Sequence, residues 1–121
     1  MPASYVIDKQ RRLVISTARG TLTAEESKQH QDRLLSDPNF DPTFNQILDF
    51  TGASSIQLSE ETIHFLAVRH LFHSPSRRAI LSNADQAEIL DKWKSLRAQF
   101  LGTEKVEIFF DLDQALRWLN D

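Results

Sequence analysis

The stretch "LDFTGASSIQLSEE", Leu48 to Glu61, decides how this chain reads. Its first residues end the run "FNQILDF", Phe44 to Phe50, an apolar segment between turn-formers that fits a strand. Its last residues supply Ser59, two glutamates and then an apolar run, which is the pattern of a capped helix start. A strand that delivers the chain into a helix is the repeating unit of an α/β fold. Asp49, at the expected strand end, is read as hydrogen-bonding amides of a "TGAS" turn.

Upstream, Tyr5 to Ile7 and Leu13 to Ala18 ("LVISTA") are apolar runs separated by the polar "DKQRR", as in a β-hairpin. Gly20 is expected to turn the chain. "TAEE", Thr23 to Glu26, is a capping box opening a helix to about Ser36, with a narrow apolar stripe of Ala24, Leu34 and Leu35. "DPNFDP", Asp37 to Pro42, must be a loop, because a proline disfavours helical geometry in the residue before it. Phe40 and Phe44 are expected to fold back as plugs.

Downstream, a helix runs from Ser59 to about His73 and is stopped by "SPS", Ser74 to Ser76. "RRAILS", Arg77 to Ser82, is a strand. From Ala84 to Phe100, Ile89, Trp93, Leu96 and Phe100 recur at helical spacing. "KVEIFF" is the last strand, and "DLDQALRWL" closes the chain as a helix. Asp111 caps it, Gln114 completes the box, and Leu112, Ala115, Leu116 and Leu119 share a face. The order β-β-α-β-α-β-α-β-α predicts a mostly parallel sheet with right-handed crossovers, flanked by four helices, in one domain over residues 1–121.

Composition removes several classes of function. Fourteen basic residues against seventeen acidic give a net charge of -3, and no basic stripe is present, so no nucleic-acid partner is expected. The absence of cysteine excludes disulfides, thiolate metal sites and cysteine nucleophiles. Three glycines, at 20, 52 and 102, form neither a dinucleotide fingerprint nor a P-loop. No apolar run is long enough to cross a bilayer, and "MPASYVIDKQRR" is not a secretory leader; no membrane insertion and a cytoplasmic location are expected.

These elements and turn residues together resemble the STAS domain of bacterial anti-sigma-factor antagonists. "RLVISTARGTLTAEE" is similar to that family's second strand, glycine turn and first helix, and "ILDFTGASSIQLS" to its central strand and following loop. "RRAILSNADQAEILDKW" and "VEIFFDLDQALRWL" resemble the closing strand-helix pairs. "DPNFDP", "ILDF" and "ALRWL" look characteristic of a group of small uncharacterised bacterial proteins of that fold. The architecture is also related to the lipid-carrying CRAL-TRIO domains, which implies apolar-ligand binding as an alternative.

In the antagonists, a serine at the start of the second helix is phosphorylated by the partner kinase, and the phosphate breaks the complex. Counting from Asp49, the resemblance puts that acceptor on Ser59. The family's D-S-S-G reads Gln57, Leu58, Ser59, Glu60 here, so only the acceptor matches. A phosphate at Ser59 would face Glu60 and Glu61, and like charges repel it. The same glutamates suit an unmodified cap, since acidic residues are favoured in a first helical turn. Ser59, Asp49, Thr51, Ser55 and Glu60 are thus candidates for a phospho-acceptor or partner contact.

The helix after Ser59 has a wide apolar arc of about 200°, holding Ile63, Phe65, Ala67, Val68, Leu71 and Phe72, with Leu66 on the other side. Such a face is buried between sheet and helix, covers an apolar ligand, or makes a homodimer seam. Phe65, Val68, Phe72, Ile89, Trp93 and His64 are the candidate ligand-lining or interface residues. His64, inside the arc, is read as half-buried or as a polar anchor. His70 and His73 share the opposite face, but no acidic or cysteine ligand joins them and Arg69 disfavours a cation, so no metal is expected. Asp49, Ser54, Ser55, Ser59 and the four histidines contain no G-x-S-x-G elbow. A hydrolase would require a serine-reactive probe to label Ser59.

The expectation is a non-enzymatic regulatory or protein-interaction module without a cofactor, acting through the Ser59 helix and the loop before it. Its partner is a protein, a second copy of the chain included. The alternative is a carrier or sensor of a small apolar molecule held under the second and third helices.

Overall fold

Ala3 pairs with Ala18 and Asp8 with Leu13 across an antiparallel hairpin that forms one edge of the sheet. The structure, a computed structural model, describes residues 3–68, 72, 76–100 and 105–120, with the side chains of 67, 68 and 100 outside the description. The elements are β1 (Ala3–Asp8), β2 (Leu13–Thr23), α1 (Ala24–Ser36), β3 (Asn45–Gln57), α2 (Glu60–Val68), β4 (Arg77–Leu81), α3 (Ala87–Phe100), β5 (Lys105–Phe109) and α4 (Leu112–Leu119). They follow the expected order β-β-α-β-α-β-α-β-α. The five strands lie in chain order, β1-β2-β3-β4-β5, and every pairing after the hairpin is parallel.

Chain-order parallel strands joined by right-handed crossovers place the intervening helices on one face. Strand alternation shows the result. Val14 meets Leu34 of α1 and Phe44, while Ala18, Phe50 and Ile80 meet Leu90 of α3. The residues between them point the other way: Leu13, Ile47, Ala79 and Leu81 pack on Ala115 and Leu119 of α4. Helices α1, α2 and α3 thus cover one face of the sheet and α4 the other. Phe40 and Phe44 plug the α1 side as expected, Phe44 buried and Phe40 in edge contact with Phe72 at 5.3 Å.

Several local expectations are corrected. Gly20 does not turn the chain: β2 runs through it to Thr23, and its positive φ of 64° sits where the β2–β3 register shifts. Likewise "TGASSIQ" is no turn, since β3 continues to Gln57 opposite the extended β2. Asn83 holds this stretch in place by donating to the carbonyls of Thr51 and Ala53 at 3.1 and 3.2 Å. The α1 stripe is His30 and Leu34, with Leu35 left 47% exposed. On α3 the buried side is Leu90 and Arg97 with Trp93 partly buried, and Ile89 is 39% exposed. Leu112 of α4 is exposed as well.

On α2 the rotation is also different from expectation. Thr62, Ile63 and Leu66 are buried, whereas His64 and Phe65 face outward, Phe65 being 43% exposed under the Lys28 ammonium. The helix has to seat two apolar side chains on its neighbours, and the pair 63 and 66 shares one face. The expected continuation to His73, the residues Arg69, His70 and Leu71, and the stop at Ser74 and Pro75 lie outside the described residues, as do the side chains of Ala67, Val68 and Phe100.

Candidate functional site

On the face of the sheet covered by α1, α2 and α3, three neighbouring strands each place a polar side chain in an otherwise apolar row. Ser16 follows Val14 and precedes Ala18, Gln46 precedes Leu48, and Arg78 precedes Ile80. All three are buried, and Gln46 is the register partner of Arg78. Burial of such groups requires hydrogen bonds. Gln46 Nε2 donates to Ser16 Oγ at 3.0 Å, and His30 Nε2 of α1 hydrogen-bonds with the same hydroxyl at 3.0 Å.

Burial lowers the His30 pKa to about 4, helped by the nearby Arg33 guanidinium, so the imidazole is neutral at pH 7. Tyr5 meets the ring edge-on at 5.7 Å and donates its hydroxyl to Asp37 at 2.8 Å. Burial raises the Tyr5 pKa, and that bond to Asp37 raises it further. The Asp37 carboxyl is held below its ordinary range by the Asn39 amide first and by Tyr5 second.

These residues line a partly open cavity of about 90 Å³ between the sheet and helices α1, α2 and α3. Its polar wall includes Ser16, His30, Gln46, Asp49, Arg78 and Arg97, and its apolar wall includes Leu22, Leu48, Leu66, Leu90 and Trp93. Both arginines are buried, at 6% and 3% exposure. Each guanidinium lies over an aromatic ring, Arg78 on Phe72 at 4.6 Å and Arg97 on Trp93 at 4.9 Å.

A second concavity, about 200 Å³, opens between the start of α2 and α3. Leu58, Ile63, Ile89 and Leu96 line it with Trp93, and Ser59, Glu60 and Lys92 stand around it. Ser59 caps α2: its Oγ accepts from the Thr62 amide at 3.1 Å and donates to Thr62 Oγ1 at 3.0 Å. Its side chain is exposed.

The structure thus divides the candidate residues. Phe72 and Trp93 line the inner cavity, Ile89, Ser59 and Glu60 the outer groove, and Phe65 sits on the α1 side of α2. Trp93 is common to both concavities. Asp49 accepts at Oδ1 from the Thr51 amide and hydroxyl at 2.9 and 2.6 Å, and Ser55 lies in the extended β3. Among the described residues no group of three or more His, Asp or Glu could hold a metal, and no helix is long and apolar enough to cross a membrane.

Sequence reading missed the polar wall. The signal was present in strand parity: Ser16, Gln46 and Arg78 occupy inward positions, which i, i+2 alternation with Val14, Leu48 and Ile80 reveals. On α3, Arg97 completes the stripe begun by Leu90 and Trp93, at spacings of three and four.

The chain is similar to the crystal structure of an uncharacterized protein of the DUF3478 family with a SpoIIAA-like fold, from Shewanella loihica PV-4. The two align with a TM-score of 0.65 and 22% identity, over 97% of this chain and 93% of that one. No protein-family model matches the sequence, and no curated protein does. The fold is SpoIIAA-like, that of the STAS domains.

Proposed function

We propose that this SpoIIAA-like domain is a non-enzymatic regulatory module that docks a protein partner in the groove between the start of α2 and α3. One observation supports the reading most. An apolar surface formed by Leu58, Ile63, Ile89 and Leu96 opens beside an exposed serine, with charges of both signs at Glu60 and Lys92. Apolar floors ringed by polar groups are the form of protein-binding patches. Ser59 at the rim is where a change of charge would act on an incoming partner.

The test is site-specific photo-crosslinking in the native host, with a benzophenone amino acid at Ile89 and, as control, at Arg117 on α4. A discrete protein adduct at 89 that is missing at 117 is the expected result. Equal adducts at both positions, or none at 89, would remove the reading. Loss of the adduct on Ser59→Asp but not on Ser59→Ala would assign the charge-controlled form of it.

A second reading, a sensor or carrier of a small molecule, is favoured by the inner cavity. A lipid-like ligand needs a pocket of several hundred Å³. About 90 Å³ admits only a small molecule. Native mass spectrometry of protein gently purified from its host checks this: a bound mass lost on denaturation supports it, and a bare chain counts against it.

A further inference from the structure

We infer that the partner docked between α2 and α3 presents a basic amphipathic helix, its apolar side chains in the groove and its lysines or arginines against an acidic rim. The inference rests on the docking reading above and names the chemistry of the partner. Beside the groove, a shallow depression of about 570 Å³ lies over the end of β3 and the start of α3, and the two share Ile89 and Lys92. Among the described residues, their walls carry the carboxylates of Glu60, Asp85, Glu88 and Asp91 against one ammonium, that of Lys92. Four against one leaves an excess of three negative charges, equal to the net charge of the whole chain, so the charges elsewhere cancel. Asp85, Glu88 and Asp91 recur every three residues, alongside the apolar series Ile89, Trp93 and Leu96.

None of these four carboxylates has a hydrogen bond or ion pair among the described residues. Elsewhere such groups are engaged: Asp37 by Tyr5, Asp49 by Thr51, Asp111 by the first turn of α4 and Glu107 by Lys94. No three of the four gather closely enough to hold a metal ion, so the countercharge that fits is spread along a chain. Like charges held on one rim repel each other, and a cationic partner is steered in by the same field. The rim also sets other occupants aside. A second copy related by a two-fold axis would bring acid against acid, and nucleic acids and anionic membrane surfaces are repelled. The apolar floor of Leu58, Ile63, Ile89 and Leu96 lies between two helices. Such a groove takes the apolar face of a third helix, with anchors three or four residues apart.

Three helical peptides of about eighteen residues test this: one of leucine and lysine, its twin with glutamate for lysine, and a third with serine for leucine. Each is titrated into the full chain at pH 7.5 and low salt, followed by anisotropy and amide chemical shifts. The leucine-lysine peptide is expected to bind at least tenfold tighter than either of the others, with the largest shifts at Ile63, Ile89 and Leu96. Glu60→Gln, Asp85→Asn, Glu88→Gln and Asp91→Asn together should bring it to within about threefold of its acidic twin. Should that variant not fold, Glu88→Gln with Asp91→Asn should still cut the preference at least threefold, and the remote pair Glu25→Gln with Asp113→Asn less than twofold. Equal binding of the basic and acidic peptides, shifts away from α2 and α3, or no binding at all would overturn the inference. So would an Ile89 adduct of twice the chain mass, which assigns the groove to a second copy. The docking reading itself falls separately, on the absence of an adduct at Ile89 or on equal adducts at 89 and 117.

Discussion

His30 Nε2 lies 3.0 Å from Ser16 Oγ, and Gln46 Nε2 donates to that same hydroxyl at 3.0 Å. A single oxygen thus ties helix α1 to strands β2 and β3 at the centre of the covered face. The contact requires a buried imidazole, and burial is what keeps it neutral.

That neutrality makes stability depend on pH in a predictable direction. The folded pKa of about 4 lies below the ordinary 6.5, so the unfolded chain takes up the proton first as pH falls. Stability is full above pH 6.5, declines between 6.5 and 4, and then levels. The expected loss is about 2 kcal/mol on going from pH 7.5 to 5. Asp37, whose pKa is lowered, acts in a more acidic window, because its contribution is lost only as pH falls below the ordinary carboxylate range. Urea unfolding of wild type and His30→Gln across this range checks the assignment; a wild-type slope that survives in the variant would refute it.

The face of α1 that meets the sheet makes a second prediction. Leu34 is completely buried against Val14 and Phe44, and Leu35 is nearly half exposed. Leu34→Ala should cost about 2–5 kcal/mol, as deletions from a packed core do. Leu35→Ala should cost less than about 0.5 kcal/mol. Two adjacent leucines with comparable losses in chemical denaturation would mean that the helix is rotated from the orientation described.

The way α1 was misread shows where sequence is informative. Element types and order were legible because their signals are local: the β-branched run at Leu13, the Thr23 box, the prolines of "DPNFDP" and the Asp111 cap each act over a few residues. Thr23 and Asp111 do accept the expected amides, from Glu26 and Asp113. Helix rotation was legible only where the buried stripe is all apolar. His30 beside Leu34, and Arg97 beside Leu90 and Trp93, hide theirs because a polar residue at an inward position scores as surface. The strand extensions past Gly20 and Asp49 were hidden too. They depend on β2 and β3 pairing with each other and on Asn83 reaching across, which no short window contains.

Ser59 carries a third prediction. Its Oγ satisfies the Thr62 amide, one of the free donors of the first turn of α2. Ser59→Ala should lower stability by about 1 kcal/mol, while Ser59→Asp, which caps equally well, should change it by only a few tenths. Thermal or urea unfolding of the pair measures this. The near-neutral result for aspartate also matters for partner docking, since it lets a lost contact in that variant be assigned to charge rather than to a frayed helix.

Gly20 supplies the last. It holds φ at 64°, in the left-handed region, at a shift in the β2–β3 ladder, and a Cβ placed there would meet no atom within 4 Å. The cost of Gly20→Ala is therefore conformational and not steric, about 1–2 kcal/mol. Gly20→Asn should recover part of it, because asparagine tolerates this region better. The ladder beyond the glycine distinguishes a bulge from a chain-reversing turn: Leu22 pairs with Ile56 and Thr23 with Gln57. Amide exchange at Leu22 and Ile56 should be slowed to the level of the sheet interior in wild type. In Gly20→Ala it should quicken there more than at Val14 or Ile47, since the strain falls on the extension. Unprotected amides at 22 and 56 in the wild type would place the end of β2 at Gly20 after all.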